Sequence, residues 1–277
     1  MSIATALFIF DLIPKILFHS SYPVFTFGVC GNLLIIFIFQ SLKTFRQYPC
    51  AFYFTSEAIA NIVQLILFFL VNILSALNGF DPGIYSLFWC KFRSPMIVTC
   101  TITAFSTVCF SAFDQYLTTN YQVHLRAMST IKLAQRLVLI AIICSISISI
   151  SFAVFFTIQS TTCTVVDIHM SQFISYFYYP FLMVLVPIFF ASLFSILAYH
   201  NVRKIVRRRL DRQLTAMVLL RVIIFVILTL PFGVQRTCFY LIKVNPSDLL
   251  SYAIYNLIGV IVAVVFNLNY AVGLYSE

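Results

Sequence analysis

Residues 133–156 read LAQRLVLIAIICSISISISFAVFF, and Arg136 is the only charged side chain among them. A helix needs about 20 predominantly apolar residues to cross the hydrocarbon core of a bilayer. This stretch is long enough, and its unbroken run differs from the short alternating segments of a transmembrane β-barrel. It therefore predicts a transmembrane α-helix.

Six further stretches have the same character. The predicted spans cover approximately residues 16–40, 50–76, 91–116, 133–156, 172–199, 213–242 and 249–275. Only 9% of the chain is charged, against about 25% in an average soluble domain. The linkers carry no Gly/Ser tract that would mark a second domain. The sequence predicts an all-α membrane protein, with one seven-transmembrane helix bundle over residues 1–277 and an exposed tail before residue 16.

The basic residues predict the orientation of the bundle, because cytoplasmic loops are enriched in Lys and Arg. With the N-terminus outside and the C-terminus in the cytosol, eleven of the 17 basic residues lie on the inner side and five on the outer side. Six form a basic run near the inner end of spans five and six: Arg203, Lys204, Arg207, Arg208, Arg209 and Arg212. This run is either a topology signal alone or a patch for anionic lipid or an acidic partner. Nucleic acid is not an expected partner.

Two of the eight cysteines, Cys90 and Cys163, lie outside the apolar core of the spans and on the predicted outer side. An oxidising compartment permits a disulfide between them, which would tie the loop after span four over the mouth of the bundle. Two free thiols are the alternative. The other six cysteines behave as small apolar residues. No Cys/His spacing is typical of a metal site, so we expect neither a metal nor a cofactor.

Several short motifs occur at fixed places in the spans. Asp114-Gln115-Tyr116 follows Cys90 by 24 residues, about 36 Å of helix, and therefore lies at the inner edge of span three. Other spans carry Gly31-Asn32, Asn61, Pro187, and Phe225 six residues before Pro231. This ordered set resembles the rhodopsin-like G-protein-coupled receptors over essentially the whole chain. It resembles the divergent, lineage-expanded invertebrate branches, the source of orphan receptors, more than the amine or opsin branches.

The resemblance implies a plasma-membrane receptor that couples an extracellular ligand to a heterotrimeric G protein by outward movement of span six. It places the coupling surface at Asp114, Gln115 and Tyr116, with the basic run and Asp211 beside them. Pro231 is the implied hinge, because proline removes a backbone donor and kinks a helix. The remaining implied switch positions are Asn32, Asn61, Phe225, Asn267 and Asn269.

Four positions depart from the family pattern. Gln115 replaces an Arg, and Asn61 replaces the Asp that would hold sodium, so we expect no sodium site. Residues 228–231 read LTLP without the usual Trp, and residues 267–270 read NLNY without the usual Pro. Either the receptor switches through altered contacts or it has lost coupling. The expected replacement for the Arg contact is a hydrogen bond between Gln115 and Asp211.

Two ionisable residues stand out by their depth inside the spans. Glu57 in span two and Arg221 in span six are each about 10–12 Å from the cytosolic end of their helix. Ionisable residues within a membrane are costly and tend to be functional. We predict a salt bridge between them that holds span six inward. The alternative is that Arg221 extends to the headgroups and Glu57 is protonated or bonded to hydroxyl neighbours.

The predicted ligand pocket lies at the outer ends of the spans. No Lys follows Lys243, which excludes a retinal Schiff base, and the outer half of span three has no carboxylate for an amine. The candidate residues are Arg93, Ile97, Cys100, Thr101, Tyr176, Tyr179, Arg236 and Tyr240. Arginine beside aromatic rings suits an anionic or aromatic ligand, such as a peptide carboxylate or a small acid. An interfacial aromatic belt is the alternative interpretation.

Other interpretations remain at this stage. The serine alternation of residues 145–151 has the period of a strand, but its apolar setting favours a helix whose hydroxyls bond to their own backbone. A transporter or channel is less favoured, because Glu57 and Arg221 lie away from the midplane. We do not expect an enzyme, since no nucleophile–base pair is evident. The chain ends at Glu277 directly after span seven, so a truncated pseudo-receptor is a further possibility.

Overall fold

The computed structural model describes residues 2–42, 48–78, 83, 86–159, 162–204, 209–241 and 249–272. Within these ranges the α-helices are α1 (Ser2–Ser41), α2 (Pro49–Asn78), α3 (Leu87–Thr119), α4 (Val123–Met128), α5 (Ile131–Phe155), α6 (Ile168–Phe173), α7 (Val186–Lys204), α8 (Arg209–Leu241) and α9 (Leu249–Ala271). A π-helical segment (Ile174–Leu185) joins α6 to α7, and strands β1 (Phe156–Gln159) and β2 (Thr162–Val165) lie between α5 and α6.

Among the described residues, seven helical segments are long and apolar enough to cross a membrane, which confirms the predicted number of spans. They are α1, α2, α3, α5, the continuous fifth span formed by α6, the π-helical segment and α7, then α8 and α9. Helix α3 lies at the centre, because it packs against α2, α5, α7 and α8. The central position of α3 brings polar side chains from several helices together.

The first helix is longer than predicted. An exposed tail was expected before residue 16, but α1 begins at Ser2 and continues through Pro14 and Pro23. Its first turns carry Ala6 and Ile9, which are buried in a cluster with Ala253 of α9. The spacing of these apolar residues follows a helical period. Packing against α9 therefore extends the helix well beyond the length that a bilayer requires.

The fifth span contains a π-helical segment that the sequence analysis did not predict. This segment runs from Ile174 to Leu185, includes Pro180, and ends just before Pro187. Proline has no backbone N–H, so the ordinary i to i−4 ladder is interrupted at each of the two positions. A wider turn is one way for a helix to accommodate that interruption.

Between α5 and α6, strands β1 and β2 form a hairpin that departs from the all-helical prediction. Strands β1 and β2 pair antiparallel, with Ile158 opposite Cys163 and Phe156 opposite Val165. The stretch that forms it had been interpreted as a loop. The hairpin holds Cys163 close to the first turn of α3 through the disulfide described below.

The serine-rich part of α5 is helical, as predicted. Ser145 donates to the carbonyl of Ala141, and Ser147 donates to the carbonyl of Ile143. Ser145 and Ser149 lie one turn apart and face α3, where they accept hydrogen bonds from Thr103 and Thr99 respectively. Small hydroxylated residues thus allow α5 and α3 to pack closely.

The burial pattern is that of a membrane bundle, with large apolar side chains on the outside and polar ones inside. Phe27, Phe37 and Ile143 are more than half exposed, whereas Asn32, Asn61 and Asn269 are almost fully buried. A buried amide is costly unless it finds hydrogen-bond partners. The buried asparagines therefore indicate where the helices exchange polar contacts.

The space around two glycines, Gly233 and Gly259, shows how closely the helices approach each other. A Cβ atom added at Gly233 of α8 would overlap with Cγ2 of Val184, whereas one at Gly259 of α9 would lie 3.0 Å from the amide nitrogen of Gln235. Val184 is β-branched and stiff, while the end of Gln235 is flexible. We expect Gly233→Ala to destabilise the protein by about 1–3 kcal/mol.

Thermal unfolding of the purified protein measures this effect. Gly259→Ala is the matched control, and its unfolding midpoint should lie close to that of the unchanged chain. Equal midpoints for the two variants would contradict the close packing of α8 on the π-helical segment.

Candidate functional site

One end of the bundle is closed by a disulfide between Cys90 and Cys163, with 5.8 Å between their Cα atoms. Cys90 lies in the first turn of α3, which begins after Ser86, and the Ser86 hydroxyl accepts a hydrogen bond from the backbone N–H of Trp89. Cys163 is in strand β2. The predicted pairing is confirmed, and it ties the hairpin after α5 to the first turn of α3.

Deep in the bundle, the Arg221 guanidinium of α8 contacts the Glu57 carboxylate of α2. Nε of Arg221 donates to Oε1 of Glu57 over 2.8 Å, and Nη2 donates to the same oxygen. Only 4% of Glu57 and 6% of Arg221 is exposed. Charge-assisted hydrogen bonds of this kind are stronger than neutral ones. The structure thus brings together the two ionisable residues that the sequence analysis paired.

Asn269 of α9 is a second partner of Arg221. Nη1 of Arg221 donates to Oδ1 of Asn269 over 2.8 Å, and Nη2 donates to the Asn269 backbone carbonyl over 3.2 Å. The amide of Asn269 in turn donates to the hydroxyl of Thr229 over 3.2 Å. Arg221 therefore connects α8 to both α2 and α9. Sequence reasoning paired residues by charge and depth, and a neutral amide gives no such signal.

A second polar layer lies beside this ion pair. The amide of Asn32 donates to the backbone carbonyl of Tyr270 over 2.8 Å, and the amide of Asn61 donates to Oδ1 of Asn32 over 3.2 Å. The Tyr270 hydroxyl is 3.0 Å from the hydroxyl of Thr101. This layer joins α1, α2, α3 and α9. Thr101 therefore joins the polar layer, and its predicted place in a ligand pocket stays a prediction.

A cluster of aromatic rings packs against the polar layer. Phe225 is fully buried and meets the ring of Phe105 edge to face at 4.8 Å. Phe232, next to Pro231 in α8, stacks on Phe266 at 4.1 Å. These contacts fill the space where α3, α8 and α9 meet. The amide of Asn267, by contrast, donates to the carbonyl of Ala263 in its own helix and does not join the network.

At the opposite end of α3 the predicted coupling residues Asp114 and Gln115 form hydrogen bonds with neighbouring elements. Asp114 accepts a hydrogen bond from the Ser129 hydroxyl that follows α4. Oε1 of Gln115 accepts from the hydroxyl of Thr215 in α8 over 3.0 Å. The predicted partner, Asp211, lies one turn before Thr215, but its side chain is outside the described residues. Among the described residues, this hydrogen bond between α3 and α8 joins two neutral side chains.

The basic run lies largely outside the described residues. The backbones of Arg203 and Lys204 end α7, and those of Arg209 and Arg212 lie at the start of α8, but their side chains are not described. Arg207 and Arg208 fall between the two ranges. Tyr116 is described and its ring lies 5.9 Å from that of Phe194.

Near the disulfide end, Arg236 of α8 lies between two aromatic rings. Its guanidinium carbon is 5.7 Å from the centre of the Tyr179 ring and 5.2 Å from that of Phe232. These distances are typical of cation–π contacts. Nε of Arg236 is buried and has no hydrogen-bond partner among the described residues. An acceptor such as a carboxylate would satisfy it.

The other predicted pocket residues are distributed differently. Arg93 and Ile97 are half-buried, Cys100 is buried, and Tyr176 is more than half exposed. Because Cys100 is buried, its side chain lies within the contacts between helices. Because Tyr176 is exposed, its side chain lies on the surface of the bundle that faces away from the core. The side chain of Tyr240 lies outside the described residues.

A bundle with these spans, this disulfide and buried polar contacts between α2, α8 and α9 has the architecture of a seven-helix membrane receptor. The family model described as 7 transmembrane receptor (rhodopsin family) matches residues 31–269. The chain therefore belongs to the rhodopsin family of seven-transmembrane receptors, which signal through G proteins and are not enzymes. A comparison with curated proteins gives no match.

The buried ion pair makes a quantitative prediction. Glu57→Gln leaves the Arg221 charge without its anion, and Arg221→Met leaves the carboxylate without its cation, so each change should cost about 3–5 kcal/mol. The double variant removes both charges and should cost clearly less than the sum. A double-mutant cycle on thermal unfolding measures the difference.

The exposed pair Lys15–Asp11 in α1 is the matched control. Its side chains are 61% and 64% exposed, so Lys15→Met and Asp11→Asn should each change stability by less than about 1 kcal/mol. Additive effects of Glu57→Gln and Arg221→Met would show that the two groups do not act as a pair.

Proposed function

We propose that this rhodopsin-family receptor lies in the plasma membrane and transmits the binding of an anionic or aromatic extracellular ligand to a heterotrimeric G protein. The observation that carries the proposal is the ion pair between Glu57 and Arg221, because it ties the helix that must move to the rest of the bundle. In this proposal, outward movement of α8 about Pro231 is the activating step.

The proposed orientation has the N-terminus outside and the C-terminus in the cytosol. The disulfide between Cys90 and Cys163 supports an oxidising compartment at the end of the bundle where α3 begins. The basic run near the other end supports a cytosolic location there. The two observations concern opposite ends of the helices, and both support the same orientation in the membrane.

Arg221 is the proposed restraint on α8 in the resting state. Its contacts with Glu57 and Asn269 must both break for the inner half of α8 to move outward. In the receptor's low-dielectric interior an unpaired charge is costly. A ligand activates the receptor only if its affinity for the outward state exceeds its affinity for the resting state.

The proposed coupling surface consists of Tyr116, the basic run and Asp211, with Asp114 and Gln115 at its rim. Gln115 and Thr215 form a neutral hydrogen bond that is weaker than the Arg contact of the family. This hydrogen bond by itself therefore offers little resistance to opening of this end of the bundle. The stronger restraint lies deeper, at Arg221.

The proposed ligand site surrounds Arg236, with Tyr179 beside it and Arg93 at the same end of the bundle. Nε of Arg236, which has no hydrogen-bond partner in the described part of the chain, supports an anionic group on the ligand, and the two flanking rings support an aromatic or apolar group beside it. A peptide with a free C-terminal carboxylate or a small aromatic acid has this chemistry.

A second candidate function is that of an uncoupled receptor that binds ligand without activating a G protein. The neutral Gln115 in place of the family's Arg favours it. Ligand-evoked GTP exchange distinguishes the two functions, and a ligand-evoked current without G protein would favour a channel instead.

We expect Glu57→Gln to raise basal GTP exchange on a promiscuous G protein several-fold, because it releases α8 from α2. Asp11→Asn, which removes a carboxylate from an exposed pair, should leave the basal rate unchanged. A folded, membrane-inserted Glu57→Gln variant with unchanged basal exchange would refute the restraint. Absence of exchange in every variant would favour the uncoupled receptor.

We expect Arg236→Ala to abolish the response to any ligand whose activity requires a carboxylate. The measurement is GTP exchange with a panel of peptides in two forms, with a free C-terminal carboxylate and with a C-terminal amide. Lys15→Ala, a change at an exposed cation, is the control. Equal potency of acid and amide forms would contradict an anion site at Arg236.

A further inference from the structure

The connector between α3 and α5 (residues 120–130) contains the short helix α4 and ends in Ser129 and Thr130. The backbones of these two residues are extended, with φ and ψ of −68° and 93° at Ser129 and of −133° and 150° at Thr130. The half-buried Ser129 donates a hydrogen bond from its hydroxyl to Oδ1 of Asp114 in α3. This hydroxyl therefore ties the end of the connector to the inner part of α3.

Ser129 lies between two basic residues. Arg126 precedes it by three residues and Lys132 follows it by three, and both side chains are exposed. The sequence of the connector contains neither Asp nor Glu. Protein kinases select their substrates by the charge pattern around the acceptor hydroxyl. An arginine three residues before a serine is the pattern that kinases of basic specificity select.

Helix α4 is weakly held, which matters because an acceptor segment enters the cleft of a kinase in an extended form. It has six residues, none of them buried, and its N-cap residue Gln122 makes no side-chain capping bond. Isolated helices shorter than about 12 residues are marginal in water. Segments with few buried contacts open locally at little cost in free energy. The connector can therefore present Arg126 and Ser129 to an enzyme without unfolding of the bundle.

Thr215 shows that the spacing alone is not sufficient. It also follows an arginine, Arg212, by three residues. However, Thr215 lies within α8, is only 5% exposed, and donates its hydroxyl to Gln115. Burial and a helical backbone keep this hydroxyl away from an enzyme. Thr215 is therefore an internal control for Ser129.

We propose that Ser129 is a phosphorylation site for a serine/threonine kinase that selects arginine at the position of Arg126. In this step the Ser129 oxygen forms a bond to the γ-phosphorus of ATP, the bond from that phosphorus to the bridging oxygen of the β-phosphate breaks, and ADP leaves. The hydroxyl proton passes to a base of the kinase. The inference rests on the orientation proposed above, which places the connector in the cytosol together with ATP.

Phosphorylation changes the contact between the connector and α3. It removes the O–H donor that Asp114 accepts from and adds a charge of about −1.5 to −2 beside the carboxylate. Oδ2 of Asp114 is buried and has no hydrogen-bond partner among the described residues. The two like charges repel one another, so the connector moves away from α3. Because Asp114 lies at the rim of the proposed coupling surface, the modification links a kinase to that surface.

Incubation of the purified full-length protein with ATP and a calmodulin-dependent protein kinase, an enzyme of this specificity, tests the proposal. We expect stoichiometric incorporation of phosphate. Fragmentation mass spectrometry should place the phosphate on Ser129, and Ser129→Ala should eliminate it. Phosphate on Thr130 or Thr215 in place of Ser129 would overturn the proposal.

Arg126→Gln keeps the acceptor and provides a test that does not depend on how Ser129→Ala folds. It should slow phosphorylation about tenfold, because it removes the charge that the kinase selects. Lys132→Gln is the matched control, since it removes an exposed charge at the same spacing on the other side of Ser129 and should leave the rate unchanged. Equal rates in the two variants would contradict the proposed recognition.

Amide hydrogen exchange in α4 measures the consequence of the modification. Residues 123–128 should exchange about tenfold faster in the phosphorylated protein than in the unmodified protein, because the connector has left α3. Asp114→Asn should remove most of this difference, since no like charge remains beside the phosphate. Unchanged exchange after phosphorylation would refute the release of the connector.

Cells that co-express the kinase separate this inference from the proposed orientation. Modification of Ser129 both in these cells and in the purified protein supports the site and the orientation. Modification of the purified protein alone would refute the orientation and with it a cytosolic modification. Absence of modification in the purified protein would refute the site and leave the proposed G-protein coupling as it stands.

Discussion

The guanidinium of Arg221 dominates the interior of this receptor, because a buried charge must be paired wherever the helices are placed. Glu57 supplies the opposite charge from α2, and Asn269 supplies two acceptors from α9. Removal of either charge leaves the other in a medium of low polarity. The relative positions of α2, α8 and α9 are therefore fixed by one side chain, and the polar layer of Asn32 and Asn61 packs beside it.

The ion pair between Glu57 and Arg221 lies deeper in the bundle than Gln115, which replaces the family's Arg at the end of α3. Gln115 meets Thr215 through a neutral hydrogen bond, whereas Arg221 lies six residues further along α8, about 9 Å deeper. In the proposed mechanism the charged restraint has moved from the membrane surface into the bundle. A deeper restraint lies nearer to Pro231 and to the aromatic rings of Phe225 and Phe105, so movement of the hinge and release of the charge involve neighbouring side chains.

Long apolar runs predicted the seven spans, and the charges of Glu57 and Arg221 predicted that α2 and α8 meet. Both predictions were possible because hydropathy and charge are strong signals that short stretches of sequence carry by themselves. The disulfide was predicted because Cys90 and Cys163 both lie on the predicted outer side of the membrane, where the compartment is oxidising. The extension of α1 was missed because its packing on Ala253 depends on a helix far away in sequence. The π-helical segment and the contact between Asn269 and Arg221 were missed for a similar reason, since backbone register and neutral hydrogen-bonding groups give no signal in hydropathy or charge. The hydrogen bond from Thr215 to Gln115 was not predicted, because a neutral contact gives no signal in hydropathy or charge. The predicted bond between Gln115 and Asp211 stays a prediction, since the Asp211 side chain lies outside the described residues.

Distance measurement between spin labels tests the central claim most directly. Labels at Ala127 of α4 and Gln213 of α8, both exposed, report how far the inner end of α8 lies from α4, with the exposed Cys30 and Cys144 replaced by Ser. With Glu57 and Arg221 intact, we expect one short distance. With Glu57→Gln, we expect a second population at a distance several ångströms longer. An unchanged distribution in the folded variant would contradict the claim that this ion pair holds α8 in place.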